Sequence, residues 1–119
     1  MIAYLKRAFL MSGVLLIGTV LLSAHAILLS ATPAANSTMA GPKVAVSLKF
    51  NSRIDGKRSR LTLLLPTQTA RNLDIQPQPA PDTLTAATTD LKSGDYRLRW
   101  QVLAADGHIT RGELPFHVQ

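Results

Sequence analysis

The sequence predicts an all-β domain, a β-sandwich of about seven short strands with Greek-key connections. Apolar and polar residues alternate with period two in several segments after residue 25, which is typical of half-buried strands. Clusters of Pro, Gly, Asp and Ser separate these segments at short intervals and favour turns. The same part of the chain contains no amphipathic helical pattern, so helical layers are not expected.

The first half of the domain predicts three strands. Residues 27–30 form an apolar opening strand, and residues 44–50 alternate regularly between apolar and polar positions. Residues 61–65 form a third run that ends at Pro66. We expect Asp55-Gly56 to form the turn that joins the second and third strands, because this dipeptide is a common turn former.

The second half predicts four further strands. Leu73 and Ile75 mark a short one before three closely spaced prolines, which exclude a central strand there. Residues 84–87 form another short strand. The next strand, residues 96–102, and the last, residues 114–118, alternate most clearly and place these aromatic residues in the core: Tyr96, Trp100 and Phe116.

Residues 1–24 predict a secretory signal peptide. Lys6 and Arg7 form a basic start, and residues 8–22 form an apolar segment. Cleavage after Ala24 leaves His25 as the first residue of an exported domain, residues 25–119. A cut after Ala26 is also compatible with the sequence, because Ala24-His25-Ala26 is itself a small-residue pattern. An uncleaved anchor is the third alternative, because the apolar stretch can reach the roughly 20 residues of a membrane span.

The charge and composition restrict the function further. Of the 13 basic residues, 11 lie outside the leader and oppose 7 acidic residues, which gives the exported domain a net charge of +4. The basic residues are scattered and lack interleaved aromatic residues, so nucleic acid is not an expected partner. The chain has no cysteine, which excludes disulfides, a lipoprotein anchor and thiolate metal ligands.

Three residues predict a metal site. An N-terminal His25 offers both its α-amine and its imidazole, and Asp106 and His108 flank Gly107 in a loop near the other end of the chain. If extended, residues 106 and 108 point the same way. Three nitrogens and one carboxylate oxygen suit Cu(II), and Zn(II) less tightly. A solvent-exposed loop without a metal is the simpler alternative, and His117 is expected to be a surface residue.

Both ends of the domain carry distinctive segments: His25-Ala26-Ile27-Leu28-Leu29-Ser30, Val46-Ser47-Leu48-Lys49-Phe50, Gly94-Asp95-Tyr96 and Ala105-Asp106-Gly107-His108. In order and spacing these segments resemble the CopC copper-resistance proteins of the bacterial periplasm. The resemblance implies an immunoglobulin-like β-sandwich or barrel that binds Cu(II) through an N-terminal histidine brace. In that brace His25 is the bidentate ligand, His108 the third nitrogen and Asp106 the carboxylate.

The family pattern is not followed everywhere. Asn51 and Ser52 stand where some members have an acidic residue near the site, and Met39 is the single methionine outside the leader. Asn36 replaces a common glycine, and Asn tolerates the left-handed conformation. The resemblance therefore implies a monomeric periplasmic Cu(II)-binding protein, not an enzyme, that buffers copper or passes it to a CopD-type inner-membrane protein. A metal-free interaction module and a histidine-brace copper enzyme that oxidises polysaccharides are the alternatives.

Overall fold

Residues 26–119 are described by a computed structural model, and they fold into β-strands without a helix. The predicted all-β class is therefore confirmed. Over these residues there are eight strands, one more than the seven that the alternation predicts. They are β1 Leu28–Thr32, β2 Thr38–Met39, β3 Val44–Phe50, β4 Ile54–Leu64, β5 Ala70–Leu73, β6 Thr83–Thr88, β7 Gly94–Ala104 and β8 Ile109–Val118.

The strands form two sheets that pack as a sandwich. One sheet has the order β1-β3-β6 and the other the order β2-β8-β7-β4-β5. The pairings are antiparallel, apart from the short parallel pair of β2 with β8. β3 and β4 follow each other in the chain but lie in different sheets, so the connection through residues 51–53 crosses from one layer to the other.

The core lies between the layers and is built from the inward positions of the alternating strands. Leu48 and Phe50 of β3 are fully buried, as are Leu61 and Leu63 of β4 and Leu98 of β7. Each such side chain contributes roughly 1.5–3 kcal/mol by leaving water. Alternation fixes the register, because a shift by one residue would expose every one of these side chains.

The aromatic residues occupy the core as predicted, with one difference. Tyr96 and Phe116 are buried and stack at a centroid distance of 5.5 Å. Trp100 packs edge-on against Phe50 at 6.4 Å but remains partly exposed. Its indole lies over Gly112 of β8, where an added Cβ would approach the ring to 2.3 Å.

The predicted turn at Asp55-Gly56 is wrong. Both residues lie inside β4, which starts at Ile54, and the register between β4 and β7 shifts between Asp55 and Arg60. The Asp55 carboxylate accepts hydrogen bonds from the backbone N–H groups of Lys57 and Arg58. These local bonds stabilise a bulge within a continuing strand instead of a chain reversal.

The bounds of the short strands differ from those that the sequence predicts. β5 ends at Leu73, so Ile75 lies beyond it, and β2 has only two residues, too few to produce an alternating pattern. Asn36, just before β2, has a φ of 63°, the left-handed conformation that its residue type tolerates.

Residues 1–25 lie outside the described part of the chain. The predicted signal peptide, its cleavage site and His25 all fall in that segment. Within residues 26–119, no helix is long and apolar enough to cross a membrane.

Candidate metal site

The loop between β7 and β8 is a tight connection that carries Asp106 and His108. Gly107 donates its N–H to the Ala104 carbonyl, and Ala104 donates to the His108 carbonyl, both at 2.9 Å. Gly107 has a φ of 91°, which side chains other than hydrogen rarely permit, although a Cβ there would meet no atom within 4 Å. The backbone conformation, not the available space, therefore favours glycine at this position.

Asp106 and His108 contact each other through two interactions. The backbone N–H of His108 donates to Asp106 Oδ1 at 3.0 Å, and His108 Nδ1 lies 2.7 Å from Asp106 Oδ2. The sequence predicted that the two side chains lie on one side, and the structure brings them together. The extended backbone that was expected for these residues is wrong, because they form a turn.

The contact with His108 favours the charged form of Asp106. The hydrogen bond from the His108 backbone N–H, followed by the bond from its imidazole, holds the pKa of the Asp106 carboxyl below its usual range. When Nδ1 carries the proton and donates it to Asp106, Nε2 is the nitrogen that can bind a metal ion. The His108 side chain is 61% exposed, so the imidazole is accessible from solvent.

The connection between β3 and β4 contacts both this loop and the first described residues. Asn51 accepts the Ile27 N–H through Oδ1 at 2.8 Å and donates its own N–H to the Ile27 carbonyl at 2.9 Å. Two residues further on, the Arg53 carbonyl accepts the N–H of Ala105 at 3.0 Å. One three-residue connection thus fixes the start of the described chain and the first residue of the loop that carries Asp106 and His108.

This role of Asn51 was missed by sequence reasoning, which noted only that no acidic residue stands there. The available signal was an amide side chain directly after an alternating strand, since Asn readily bonds to backbone groups of a neighbouring segment. A carboxylate at this position could accept the Ile27 N–H equally well, so the sequence alone could not distinguish a ligand from an anchor.

The described residues contribute only part of the predicted ligand set. Within residues 26–119, no group of three or more His, Cys, Asp or Glu side chains is arranged to hold a metal ion. Asp106 and His108 provide one carboxylate and one imidazole, donors that fit Cu(II) or Zn(II). His25, which was predicted to complete the set, lies outside the described residues.

The third histidine lies at the other end of the β7–β8 hairpin. His117 is exposed, as predicted, and its Nδ1 is 2.8 Å from Oδ1 of Asp95, its register partner on β7. The distance along the hairpin from Ala105 to Asp95 separates this pair from the loop with Asp106.

The two-layer sandwich, with an aspartate and a histidine in its β7–β8 loop, defines an immunoglobulin-like β-domain with a candidate metal site. The family model of the CopC domain matches residues 28–119, and the chain belongs to the CopC family. The match covers all eight strands and the loop with Asp106 and His108.

Individual relatives agree with this assignment. The chain is 30% identical over 105 residues to protein YobA of Escherichia coli strain K12, covering 81% of this chain and 80% of YobA. It is similar to the crystal structure of CopC from Methylosinus trichosporium OB3b, with a TM-score of 0.74, 31% identity and coverage of 80% and 94% of the two chains. The structure of PcoC, a methionine-rich copper resistance protein from Escherichia coli, gives a TM-score of 0.65 at 26% identity over 81% of this chain and all of PcoC.

Proposed function

We propose that this chain is an exported protein that binds one Cu(II) ion through an N-terminal histidine brace and buffers or delivers copper. Its CopC family membership supports a copper-related function, since the related PcoC is a copper resistance protein. The family also supports a periplasmic location. On this proposal the copper ion is cargo, and the protein is not an enzyme.

The proposed ligands are the α-amine and imidazole of His25, the imidazole of His108 and the carboxylate of Asp106. The observation that carries the proposal is the shared anchor in residues 51–53, which binds Ile27 on one side and Ala105 on the other. His25 is bonded to Ala26, and consecutive Cα atoms lie only about 3.8 Å apart. Connectivity therefore favours a meeting of His25 with the loop that begins at Ala105.

Asp106 has two tasks in this proposal. Each of its oxygens already accepts one hydrogen bond from His108, and a carboxylate oxygen retains a further lone pair for a metal ion. By accepting the Nδ1 proton it orients the imidazole and selects the tautomer whose Nε2 binds metal. Its lowered pKa keeps the negative charge available to offset that of the ion.

The oxidation state follows from the donors. Nitrogen and oxygen ligands favour Cu(II), whereas Cu(I) prefers thioethers and thiolates. Met39 is the single methionine within residues 26–119, and it lies partly buried on β2. Unlike the methionine-rich PcoC, this chain therefore offers no group of sulfur ligands in the described domain.

The partner that we propose is a CopD-type protein of the inner membrane, on the basis of the family. The exposure of His108 is consistent with exchange of copper between proteins, because a partner's ligands can approach the imidazole directly. The polysaccharide-oxidising alternative has less support. Trp100 packs edge-on against the fully buried Phe50 and is only partly exposed, so little of its ring is available to a sugar chain.

The decisive experiment compares two variants of the exported protein by Cu(II) titration calorimetry. His25→Ala removes the imidazole, and insertion of one Gly before His25 preserves every side chain but separates the α-amine from the imidazole. Mass spectrometry first verifies that each variant is cleaved after Ala24. We expect His25→Ala to bind Cu(II) at least about 100-fold more weakly, because chelation by one residue is lost, and the insertion variant to bind more weakly than the unmodified protein. Undiminished affinity of His25→Ala contradicts the brace.

A further inference from the structure

The outer face of the five-stranded sheet concentrates arginines around one cavity. The cavity has a volume of about 440 Å³ and is lined by residues of β4, β7 and β8, the three central strands of this sheet. Arg60, Arg99 and Arg111 contribute one guanidinium group from each strand. These three arginines are separate from the proposed copper ligands, since the loop with Asp106 and His108 starts only after β7 ends.

The strand register explains why the three arginines converge. Arg60 pairs with Gln101, and Gln101 pairs with Arg111, so the two arginines flank one glutamine across three strands. In the adjacent outward row, Thr62 pairs with Arg99, and Arg99 pairs with Glu113. Neighbouring strands are about 4.8 Å apart, so the long side chains of both rows can reach one point above the sheet.

The hydrogen bonds of Arg99 and Arg111 use only one N–H donor of each guanidinium. Arg99 donates from Nε to Glu113 Oε2 at 2.8 Å, and Arg111 donates from Nε to Gln101 Oε1 at 3.1 Å. Each guanidinium has five N–H donors, so the terminal nitrogens of both remain able to bind an acceptor. Among residues 26–119, no ion pair involves Arg60 or Arg111.

The local charge is not balanced within the sheet. Glu113 is the single acidic residue among those that line the cavity, against three arginines, which leaves two positive charges. Glu113 is also shared with Arg97, which approaches its Oε1 at 3.2 Å. The positive charge that Glu113 does not offset favours a bound anion at this cavity.

We propose that this cavity is a binding site for a phosphate group. The planar guanidinium fork matches two oxygens of a phosphate at once, and three forks can surround a tetrahedral anion. The two net positive charges of the lining residues match the charge of a phosphate dianion. The phosphate can come from free inorganic phosphate or from the headgroup of an anionic phospholipid.

The test is an amide chemical-shift titration of the copper-free exported protein with inorganic phosphate, with sodium chloride of equal ionic strength as reference. We expect saturable shifts at the outward residues of β4, β7 and β8 that chloride does not reproduce. The variant Arg60→Gln/Arg111→Gln should bind phosphate about tenfold or more weakly. The matched control, Lys43→Gln/Lys49→Gln, removes the same charge from exposed positions in and beside the other sheet and should bind as the unmodified protein does.

Sedimentation with vesicles of phosphatidylglycerol, compared with phosphatidylcholine, identifies the source of the phosphate. Binding to phosphatidylglycerol that the arginine variant loses supports a headgroup, whereas saturable binding of free phosphate alone supports a soluble ligand. The proposal is overturned if neither probe binds, or if both double variants lose binding equally. Cu(II) titration of the arginine variant should remain unchanged, so this result is independent of the copper proposal.

Discussion

The β7–β8 hairpin carries a histidine–aspartate pair near each end, and the two pairs differ in what they offer a metal ion. His108 Nδ1 lies 2.7 Å from Asp106, and His117 Nδ1 lies 2.8 Å from Asp95. By this distance alone the two are nearly equivalent.

Their surroundings are different. Asp106 lies in a turn and accepts a second hydrogen bond from the His108 backbone, and its side chain is 27% exposed. Asp95 lies on β7 directly opposite His117 on β8, and its side chain is 93% exposed. The loop with Asp106 is also hydrogen-bonded to Arg53, close to the anchor of Ile27. An imidazole–carboxylate contact is thus insufficient to indicate a metal site. The ordered carboxylate and the nearby start of the domain distinguish the loop.

The largest expected difference concerns the histidines themselves. We expect His108→Ala to weaken Cu(II) binding at least about 100-fold, because a ligand is removed. His117→Ala should leave the affinity unchanged, since its partner lies at the other end of the hairpin. Calorimetric titration measures both, and circular dichroism verifies that both variants are folded. Equal losses in the two variants would remove the distinction between the two ends.

The carboxylates provide a second and smaller contrast. Asp106→Asn retains an oxygen that can accept the His108 backbone N–H but loses the charge that orients the imidazole. We expect about 10- to 100-fold weaker Cu(II) binding, the range for groups that hold a metal-binding histidine. The matched variant Asp95→Asn should have no effect. Unchanged binding by Asp106→Asn would show that neither its charge nor its orienting bond is needed.

The pH dependence separates the proposed nitrogen ligands from the carboxylate. Copper binding requires a neutral imidazole and a free amine, so the affinity should fall about tenfold or more per pH unit between pH 7 and 5. The pKa of Asp106 is lowered, chiefly by the His108 backbone N–H, so its charge is present throughout this window and is lost only below it. Its protonation therefore does not cause the decline. Affinity that stays constant down to pH 4 would be incompatible with the proposed ligands.

The smallest expected effect concerns the anchor. Asn51→Ala removes the acceptor of the Ile27 N–H but keeps the backbone bond between these residues. One neutral hydrogen bond contributes about 0.5–1.5 kcal/mol, so we expect a two- to tenfold loss of Cu(II) affinity, roughly. Asn72→Ala, which removes a side-chain contact between β5 and Thr62 of β4, is the control. A loss of Cu(II) affinity in Asn72→Ala but not in Asn51→Ala would show that the anchor of Ile27 does not contribute to copper binding.

The sequence predicted the fold where alternation is long and failed where it is short. β3, β7 and β8 each have at least seven residues and bury every second side chain over much of their length, so the period is visible without a structure. β2 has two residues and is defined by pairing with β8, which no local pattern reveals. The Asp55-Gly56 error has another cause, because a dipeptide that forms turns also stabilises a bulge.

The contacts within the candidate site were predictable only in part, and its role as a metal site stays a prediction. Asp106 and His108 were identified from residue types two positions apart, and they do contact each other. The hydrogen bonds of Asn51 and Arg53 were not predictable, because they connect segments that are distant in sequence. The arginine cavity also depends on register, since Arg60 and Arg111 become neighbours only through the pairing of three strands.

The most direct test of the central claim is native mass spectrometry of the protein taken from a bacterial periplasm and loaded with Cu(II), followed by mass measurement under denaturing conditions. We expect a chain that begins at His25 and retains one copper ion in the native spectrum. A chain that begins at Ile27, or one that retains residues 1–24, without bound copper would contradict the histidine brace.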